Sequence, residues 1–248
     1  TKIEKMSKFK ILVFPCGSEI GLEIFRSLKY SRHIELFGAS SVEDHGRFIY
    51  ENYIGNIPFI DSCDFIKKIN QTVKQYSIDA IYPTMDKVIW KLKKYEKDLG
   101  CKVIASPYET TELCLSKKKL YSYLKQFVKV PIIYNKFEDI ENFPVFIKPD
   151  IGYGSRGTSI AYNLQELQWF FREKKMSDFI IAEYLPGEEY TVDCFTDKDR
   201  KLRFIGPRIR NRIRNGISVN TKPVLDPHKE FEKFAKTINE VMELRGAW

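Results

Sequence analysis

Short apolar runs and helical-period segments alternate through the first hundred residues, and this alternation constrains the fold more than any other feature of the 248-residue chain. Residues 10–14 read as a buried strand, Cys16-Gly17-Ser18 as a turn, and 20–28 as a helix carrying Leu22, Ile24, Phe25 and Leu28. A strand at 34–39, a loop around 40–53 and a helix over 65–76 follow. Then come a strand at 78–83, a helix over 88–99 and a strand at 102–105. Strands separated by helices form a parallel sheet with helices on both faces, so this half is expected to be Rossmann-like α/β. Pro15-Cys16-Gly17-Ser18-Glu19-Ile20-Gly21 lies at the C-terminal end of the first strand, where open α/β sheets tend to bind ligands. It lacks G-x-G-x-x-G, which leaves a tight βα turn or a contact to an acceptor substrate. Asp86 follows another strand end and reads either as a helix N-cap ahead of Val88 or as a group pointing into a cleft.

Ser106-Pro107 marks a boundary, because proline forces the preceding residue out of helix, and a short helix restarts around 109–113. Beyond it the pattern predicts a small α+β lobe: a helix from Lys117, strands at 130–134, 145–148 and 158–161, a helix over 164–174 and a strand at 179–183. Strands at 190–196, 202–207 and 217–223 would begin a larger lobe. Phe231, Phe234, Ala235, Ile238, Val241 and Met242 mark a helix after them, and Arg245-Gly246-Ala247-Trp248 begins one more strand.

The chemistry concentrates at Pro144-Val145-Phe146-Ile147-Lys148-Pro149-Asp150-Ile151-Gly152-Tyr153-Gly154-Ser155-Arg156-Gly157. An apolar strand delivers one lysine and opens into a loop of three glycines, a serine and an arginine. Small residues let backbone N–H groups approach phosphate oxygens while the cations supply charge. A Gly-rich turn joining two hairpin strands has the same composition. Downstream, Glu183-Tyr184-Leu185-Pro186-Gly187-Glu188-Glu189 joins two predicted strands, with carboxylates placed to accept from ribose hydroxyls and backbone placed to read an adenine edge.

The order of lysine strand, glycine loop and E-x-L-P-G-x-E turn resembles the ATP-grasp superfamily, most closely its carbamoyl-phosphate synthase large-chain and carboxylate-amine ligase branch. Ser116-Lys117-Lys118-Lys119-Leu120-Tyr121-Ser122-Tyr123-Leu124 is similar to that family's D-K-x₆-L helix, with Ser116 where the aspartate is usual. The resemblance implies a pre-ATP-grasp domain over 1–107 and an ATP-grasp domain over 108–248, with a small lobe at about 117–185 and the start of a large lobe at about 186–248. It implies that Lys117 and Lys148 contact the nucleotide, Lys148 at the α- and β-phosphates. Gly154, Ser155, Arg156 and Gly157 would form the flap over the phosphates. Glu183 and Leu185 would meet adenine through their backbone, and Glu189, with Glu188 as its rival, would bind ribose.

Arg208, Arg210, Arg212 and Arg214 recur with period two, so an extended chain would set all four on one face. In a family that works through an acyl phosphate, Arg208 and Arg210 are the candidates to hold a substrate carboxylate and the γ-phosphate, Lys222 being a weaker one. A solvated loop edge is the alternative. The implied reaction is phosphoryl transfer from ATP to a carboxylate, followed by attack of an amine. In the family the Mg²⁺ ligands follow the last helix, so they are expected beyond Trp248. The chain accordingly reads as C-terminally truncated, with a homodimer or partner chain supplying the missing strands as the other arrangement. A non-catalytic ATP-binding or partner-binding module is the competing function, favoured by Ser116 and by the missing metal strands.

Composition narrows the remaining classes. The net charge of +8, from 41 Lys and Arg against 33 Asp and Glu, raises nucleic acid as a partner. Yet Lys67, Lys68, Lys74, Lys87, Lys91, Lys93, Lys94 and Lys97 alternate with core positions along amphipathic helices, the pattern of solvated faces. Nucleic acid is therefore not an expected partner. The partners expected are nucleotide and an unidentified carboxylate and amine. No apolar run reaches the roughly 18 residues of a membrane span, and the first residues lack a secretory apolar region, so a cytoplasmic protein without a membrane partner is expected. Cys16, Cys63, Cys101, Cys114 and Cys194 are odd in number and lack C-x-x-C spacing; reduced, mostly buried thiols are expected, without a zinc site.

Overall fold

Strand β1 (Phe9–Phe14) shows how the first half folds, because its alternate side chains enter two different cores. Leu12 and Phe14 join one cluster, Ile11 and Val13 another, so both faces of the strand are covered. The computed structural model describes residues 7–152, 154–214, 217–226 and 229–248. The chain divides into two compact units, Thr1–Thr111 and Glu112–Trp248.

In the first unit, β1 is followed by α1 (Glu19–Leu28), β2 (Ile34–Ala39), α2 (Gly46–Ile49) and β3 (Asn52–Ile54). Next come α3 (Phe65–Tyr76), β4 (Ala80–Pro83), α4 (Asp86–Lys94), α5 (Glu96–Leu99) and β5 (Lys102–Val103). The sheet order is β3-β2-β1-β4-β5, all parallel, with its switch point between β1 and β4. Phe65, Ile69 and Val73 of α3 pack on one face with Val88 and Leu92 of α4. Ile24 and Phe25 of α1 cover the other. The expected α/β alternation is observed, with three local corrections. The predicted loop at 40–53 holds α2 and the start of β3. The helix expected over 88–99 breaks at Tyr95, where Glu96 turns to accept the Val103 N–H at 2.7 Å. Asp86 is the first residue of α4 rather than its cap; Met85 is the cap, without a side-chain hydrogen bond.

A helix, α6 (Tyr108–Leu115), carries the chain into the second unit. There α7 (Lys117–Leu124), β6 (Ile133–Tyr134), β7 (Val145–Pro149), β8 (Ser159–Ala161), α8 (Leu164–Phe170) and β9 (Phe179–Glu183) build an antiparallel sheet of order β6-β9-β7-β8. Val145, Ile147 and Ile181 share a core with Leu167 of α8. The helix expected to reach 174 stops at Phe170, because Phe170 and Phe171 both turn edge-on to Phe179, at centroid distances of 5.3 and 5.8 Å. Adjacent residues on a helix point about 100° apart, so both rings reach one ring only where the helix has ended.

A second antiparallel sheet, of order β12-β11-β10-β13, comprises β10 (Tyr190–Thr196), β11 (Leu202–Arg214), β12 (Ile217–Pro223) and β13 (Gly246–Ala247). Helix α9 (Glu230–Val241) precedes β13, and Tyr190 stacks on its Phe231 at 5.2 Å. Strand β11 extends well past Pro207, where the predicted strand ended, and carries the arginine run. The expectation of four arginines on one face is corrected by two register shifts against β12, between Arg210 and Arg212 and between Arg212 and Ile213. Each shift breaks the pleat, so the common face ends at Arg210. The side chain of Arg214 lies outside the described residues. Short as it is, β13 pairs with Phe195 and Thr196, and the Trp248 indole N–H donates to Thr196 Oγ1 at 2.8 Å.

The five cysteines form no disulfide: Cys16 and Cys194 are buried, Cys101 half-buried, and Cys63 and Cys114 exposed, which corrects the expectation of mostly buried thiols. Burial pushes the thiols of Cys16, Cys101 and Cys194 up to about 11. A thiol whose folded pKa lies above its unfolded value contributes stability that is whole below about pH 8.5 and is lost as pH rises from there through the folded pKa. The urea midpoint is therefore expected to hold between pH 7 and 8 and to fall toward pH 11, and a flat midpoint across that range contradicts the burial argument. Ile181 is 1 % exposed in the core under α8. Replacing it with alanine is expected to cost about 2–5 kcal/mol by chemical denaturation, and a loss below about 1 kcal/mol would show that core to be loosely filled.

Candidate functional site

The glycine loop and the first turn of α7 are built as one piece. Ser116 caps α7 in extended backbone, its Oγ accepting the Lys119 N–H at 3.2 Å. Lys117 Nζ donates to the carbonyls of Asp150 and Gly152, each at 3.1 Å, so this ammonium lies against the start of the loop. Gly154 and Gly157 have φ of 63° and 74°, and Ser155 between them has φ of 53°. Left-handed backbone is what lets consecutive N–H groups turn toward one concavity. Arg156 sits exposed between Ser155 and Gly157. The loop is closed at its far end by Thr158, whose Oγ1 donates to the Ser155 carbonyl at 2.9 Å. Tyr153 lies outside the described residues.

Strand pleat decides where Lys148 points. Val145 and Ile147 enter the core under α8, so Phe146 and Lys148 occupy the opposite face of β7. There, among the described residues, no carboxylate pairs with Lys148 Nζ; it donates to Tyr121 Oη at 2.8 Å and lies 5.1 Å from the Tyr121 ring centroid and 5.9 Å from that of Phe146. Tyr121 stands four residues after Lys117, one helical turn along the same face of α7. Both candidate lysines are thus referred to one helix.

At the other end of β9, the Glu183 carboxylate accepts the Ile132 N–H at 3.0 Å, and the Glu183 N–H donates to the Ile132 carbonyl at 2.9 Å. This side chain is used to pin β6, leaving its role at a nucleotide to the backbone. Glu183 and Pro186 line a groove of about 500 Å³ with Tyr134, Asn142 and Phe143. Leu185 beside it is 62 % exposed.

Glu189 of the turn and Asp193 of β10 meet the arginines of β11 on one face of the second sheet. Arg208 grips Asp193 with both Nε and Nη2, the latter at 3.0 Å, in a bidentate pair. Arg210 donates to Ser218 Oγ at 2.6 Å and pairs with Glu189. Cys194 and Thr196 are buried on the α9 side, and so the alternation puts Glu189, Thr191 and Asp193 on the other side, opposite Arg208 and Arg210. Glu188 instead accepts from the Tyr190 hydroxyl, whose pKa is raised by that hydrogen bond. Lys222 pairs with Ile209 in register and is exposed. Among the described residues no group of three His, Cys, Asp or Glu side chains is placed to hold a metal ion. No helix among them is long and apolar enough to cross a membrane.

Sequence reading passed over Tyr121, Asp150, Asp193 and Ser218. Tyr121 was available from its i+4 spacing to Lys117, and Asp193 from its shared parity with Glu189. The contact of Asp150 with α7 joins residues 34 apart and has no local signal.

Residues 114–248 match the family model described as an ATP-grasp domain. Over 158 residues the chain is 27% identical to a D-alanine--D-alanine ligase of Fusobacterium nucleatum, covering 60% of this chain and 54% of that protein. It spans about half the length of the curated relatives it matches. The crystal structure of N5-carboxyaminoimidazole synthetase from Staphylococcus aureus superposes with a TM-score of 0.76 at 20% identity, over 97% of this chain and 65% of that one. A biotin carboxylase from Campylobacter jejuni, solved with β-γ-ATP, gives a TM-score of 0.74 at 18% identity over 98% of this chain and 61% of that one. Likeness at this identity shows the fold.

Proposed function

The chain belongs to the ATP-grasp family, and from that premise we propose that its second unit binds ATP and takes part in the ATP-dependent joining of a carboxylate to an amine, the chemistry of the carbamoyl-phosphate synthase-like branch. The observation that carries this reading is the pair of lysines referred to one helix: Lys148, half-buried on the face of β7 away from the α8 core, and Lys117 against a glycine loop with left-handed backbone at Gly154, Ser155 and Gly157. The ligase relatives support the ligation half of the reading. Ser116 argued for a non-catalytic module at the sequence level, and that argument weakens because Asp150 brings a carboxylate to the same helix terminus.

ATP supplies the phosphoryl group that turns a carboxylate into an acyl phosphate open to attack by an amine. In this reading Lys148 exchanges the Tyr121 hydroxyl for α- and β-phosphate oxygens, and the N–H groups of 154–157 take others while the loop excludes water. Lys117 adds positive charge at the loop entrance. The backbone of Glu183 and Leu185 meets the base, and Glu189 is preferred over Glu188 for the ribose hydroxyls because it stands on the arginine face. Arg208 and Arg210, now paired with Asp193 and Glu189, would turn to a substrate carboxylate and the terminal phosphate. Mg²⁺ enters as the ion that accompanies ATP; no set of ligands for it stands together among the described residues, so no step is assigned to it. A cytoplasmic setting belongs to the same proposal.

Calorimetric titration with ATP, with and without Mg²⁺, tests the reading. Binding by the wild-type chain is expected to weaken by about tenfold to a hundredfold in Lys148→Ala, the loss of one charge-assisted hydrogen-bonding group. Absence of binding to the folded wild-type chain, or equal affinity in the variant, would overturn the assignment.

A further inference from the structure

Three consecutive lysines, Lys117, Lys118 and Lys119, occupy the first turn of α7, and no acidic residue accompanies them. That arrangement is electrostatically unfavourable, because the N-terminus of a helix already carries about half a positive charge and like charges there add to it. The counter-charge comes from another strand end. Asp150 Oδ1 accepts the Lys118 N–H at 2.7 Å, and the Ser116 hydroxyl lies 2.8 and 3.0 Å from the two carboxylate oxygens. Since Ser116 Oγ already accepts from the Lys119 N–H, its single proton is directed to Asp150. The hydroxyl thus relays the carboxylate to the helix terminus.

The backbone of Asp150 is bound to the same helix. Its carbonyl accepts from the Lys117 N–H at 3.2 Å and from Lys117 Nζ at 3.1 Å, while its own N–H donates to the Asp178 carbonyl at 2.9 Å. Asp150 is therefore tied to α7 through both carbonyl and carboxylate, and to the residue before β9 through its amide. It sits two residues after Lys148, where β7 gives way to the glycine loop. Ser116 is 7 % exposed and its bonds to Asp150 are partly buried, so water competes with them less than it would at an open helix end.

We propose that Asp150 is a positioning residue for the nucleotide site: its carboxylate takes the place of the acid that the family carries at the position of Ser116, and by fixing the Asp150 backbone against α7 it sets the carbonyl that holds Lys117 Nζ at the entrance of the glycine loop. The proposal rests on the reading above for what Lys117 contacts, and on the geometry alone for what holds Lys117. It also accounts for the residue type at 116. A second carboxylate there would face that of Asp150 across a hydrogen-bond distance, whereas a hydroxyl can accept from the helix and donate to the acid at once.

The test is a set of substitutions read in three ways. In Asp150→Ala, amide exchange at Lys118 is expected to accelerate and ATP affinity to fall about fivefold to tenfold, with both restored in Ser116→Asp/Asp150→Ala. On a Lys117→Ala background, removing Asp150 is expected to leave the remaining affinity unchanged, an outcome that a general loss of structure would not produce. Unaltered exchange at Lys118, or an equal affinity loss with and without Lys117, overturns the proposal. Asp150→Asn, which keeps the size and loses the charge, replaces the alanine variant if that one does not fold. Should the wild-type chain not bind ATP, the nucleotide reading falls by itself. The rate of reductive methylation of Lys117 still decides the present proposal: a rise in the Asp150 variant that reverses in the double variant supports it, and an unchanged rate sinks it.

Discussion

The antiparallel register of β7 against β9 is the constraint on which the second unit depends. Val145 lies opposite Glu183 and Lys148 opposite Ile180, so one pleat sends Val145, Ile147 and Ile181 into the core under α8 and leaves Lys148 on the other face. A slip of one residue would exchange the faces and turn the Lys148 ammonium into the apolar core under α8. The apolar side of the sheet thus selects the register, and the register aims the cation. Glu183 marks the end of the same pairing, where its carboxylate fixes the edge strand β6 through the Ile132 amide.

What the sequence disclosed follows from how local the governing interactions are. Strands 179–183 and 190–196 were readable to the residue because a short apolar run, an alternating run and the Pro-Gly connector between them are all local signals. The helix at 65–76 was readable for the same reason, its apolar face repeating with helical period. The arginine run was not. Period two was present in the letters, yet whether a strand keeps its pleat depends on the partner strand, and β12 imposes two shifts after Arg210. The end of α8 was likewise hidden, since three phenylalanines converge only after the chain has folded. At the candidate site the lysines and glycines could be named from spacing, whereas Tyr121 and Asp150 acquire their roles through contacts 27 and 34 residues away in the chain.

The other cations near the candidate site are held by local partners. Arg208 and Arg210 each face a carboxylate from the neighbouring strand, and Lys117 is met by carbonyl oxygens. The acidic partners are open to water, which screens these pairs, so they contribute little to stability. Their value lies in orientation. A bidentate Arg208–Asp193 pair fixes the plane of the guanidinium, and a substrate anion of matching geometry would meet a donor fork already set.

Lys148 is arranged differently from these cations. An ammonium on a four-carbon stem ordinarily samples many rotamers, and fixing it costs up to about 2 kcal/mol in conformational entropy. Here the Tyr121 hydroxyl holds the tip and two aromatic faces flank it, at 5.1 and 5.9 Å. The chain therefore gives up that freedom when it folds, not when an anion arrives. An incoming phosphate has only to replace one neutral oxygen at an ammonium that is already partly stripped of water and waiting in place.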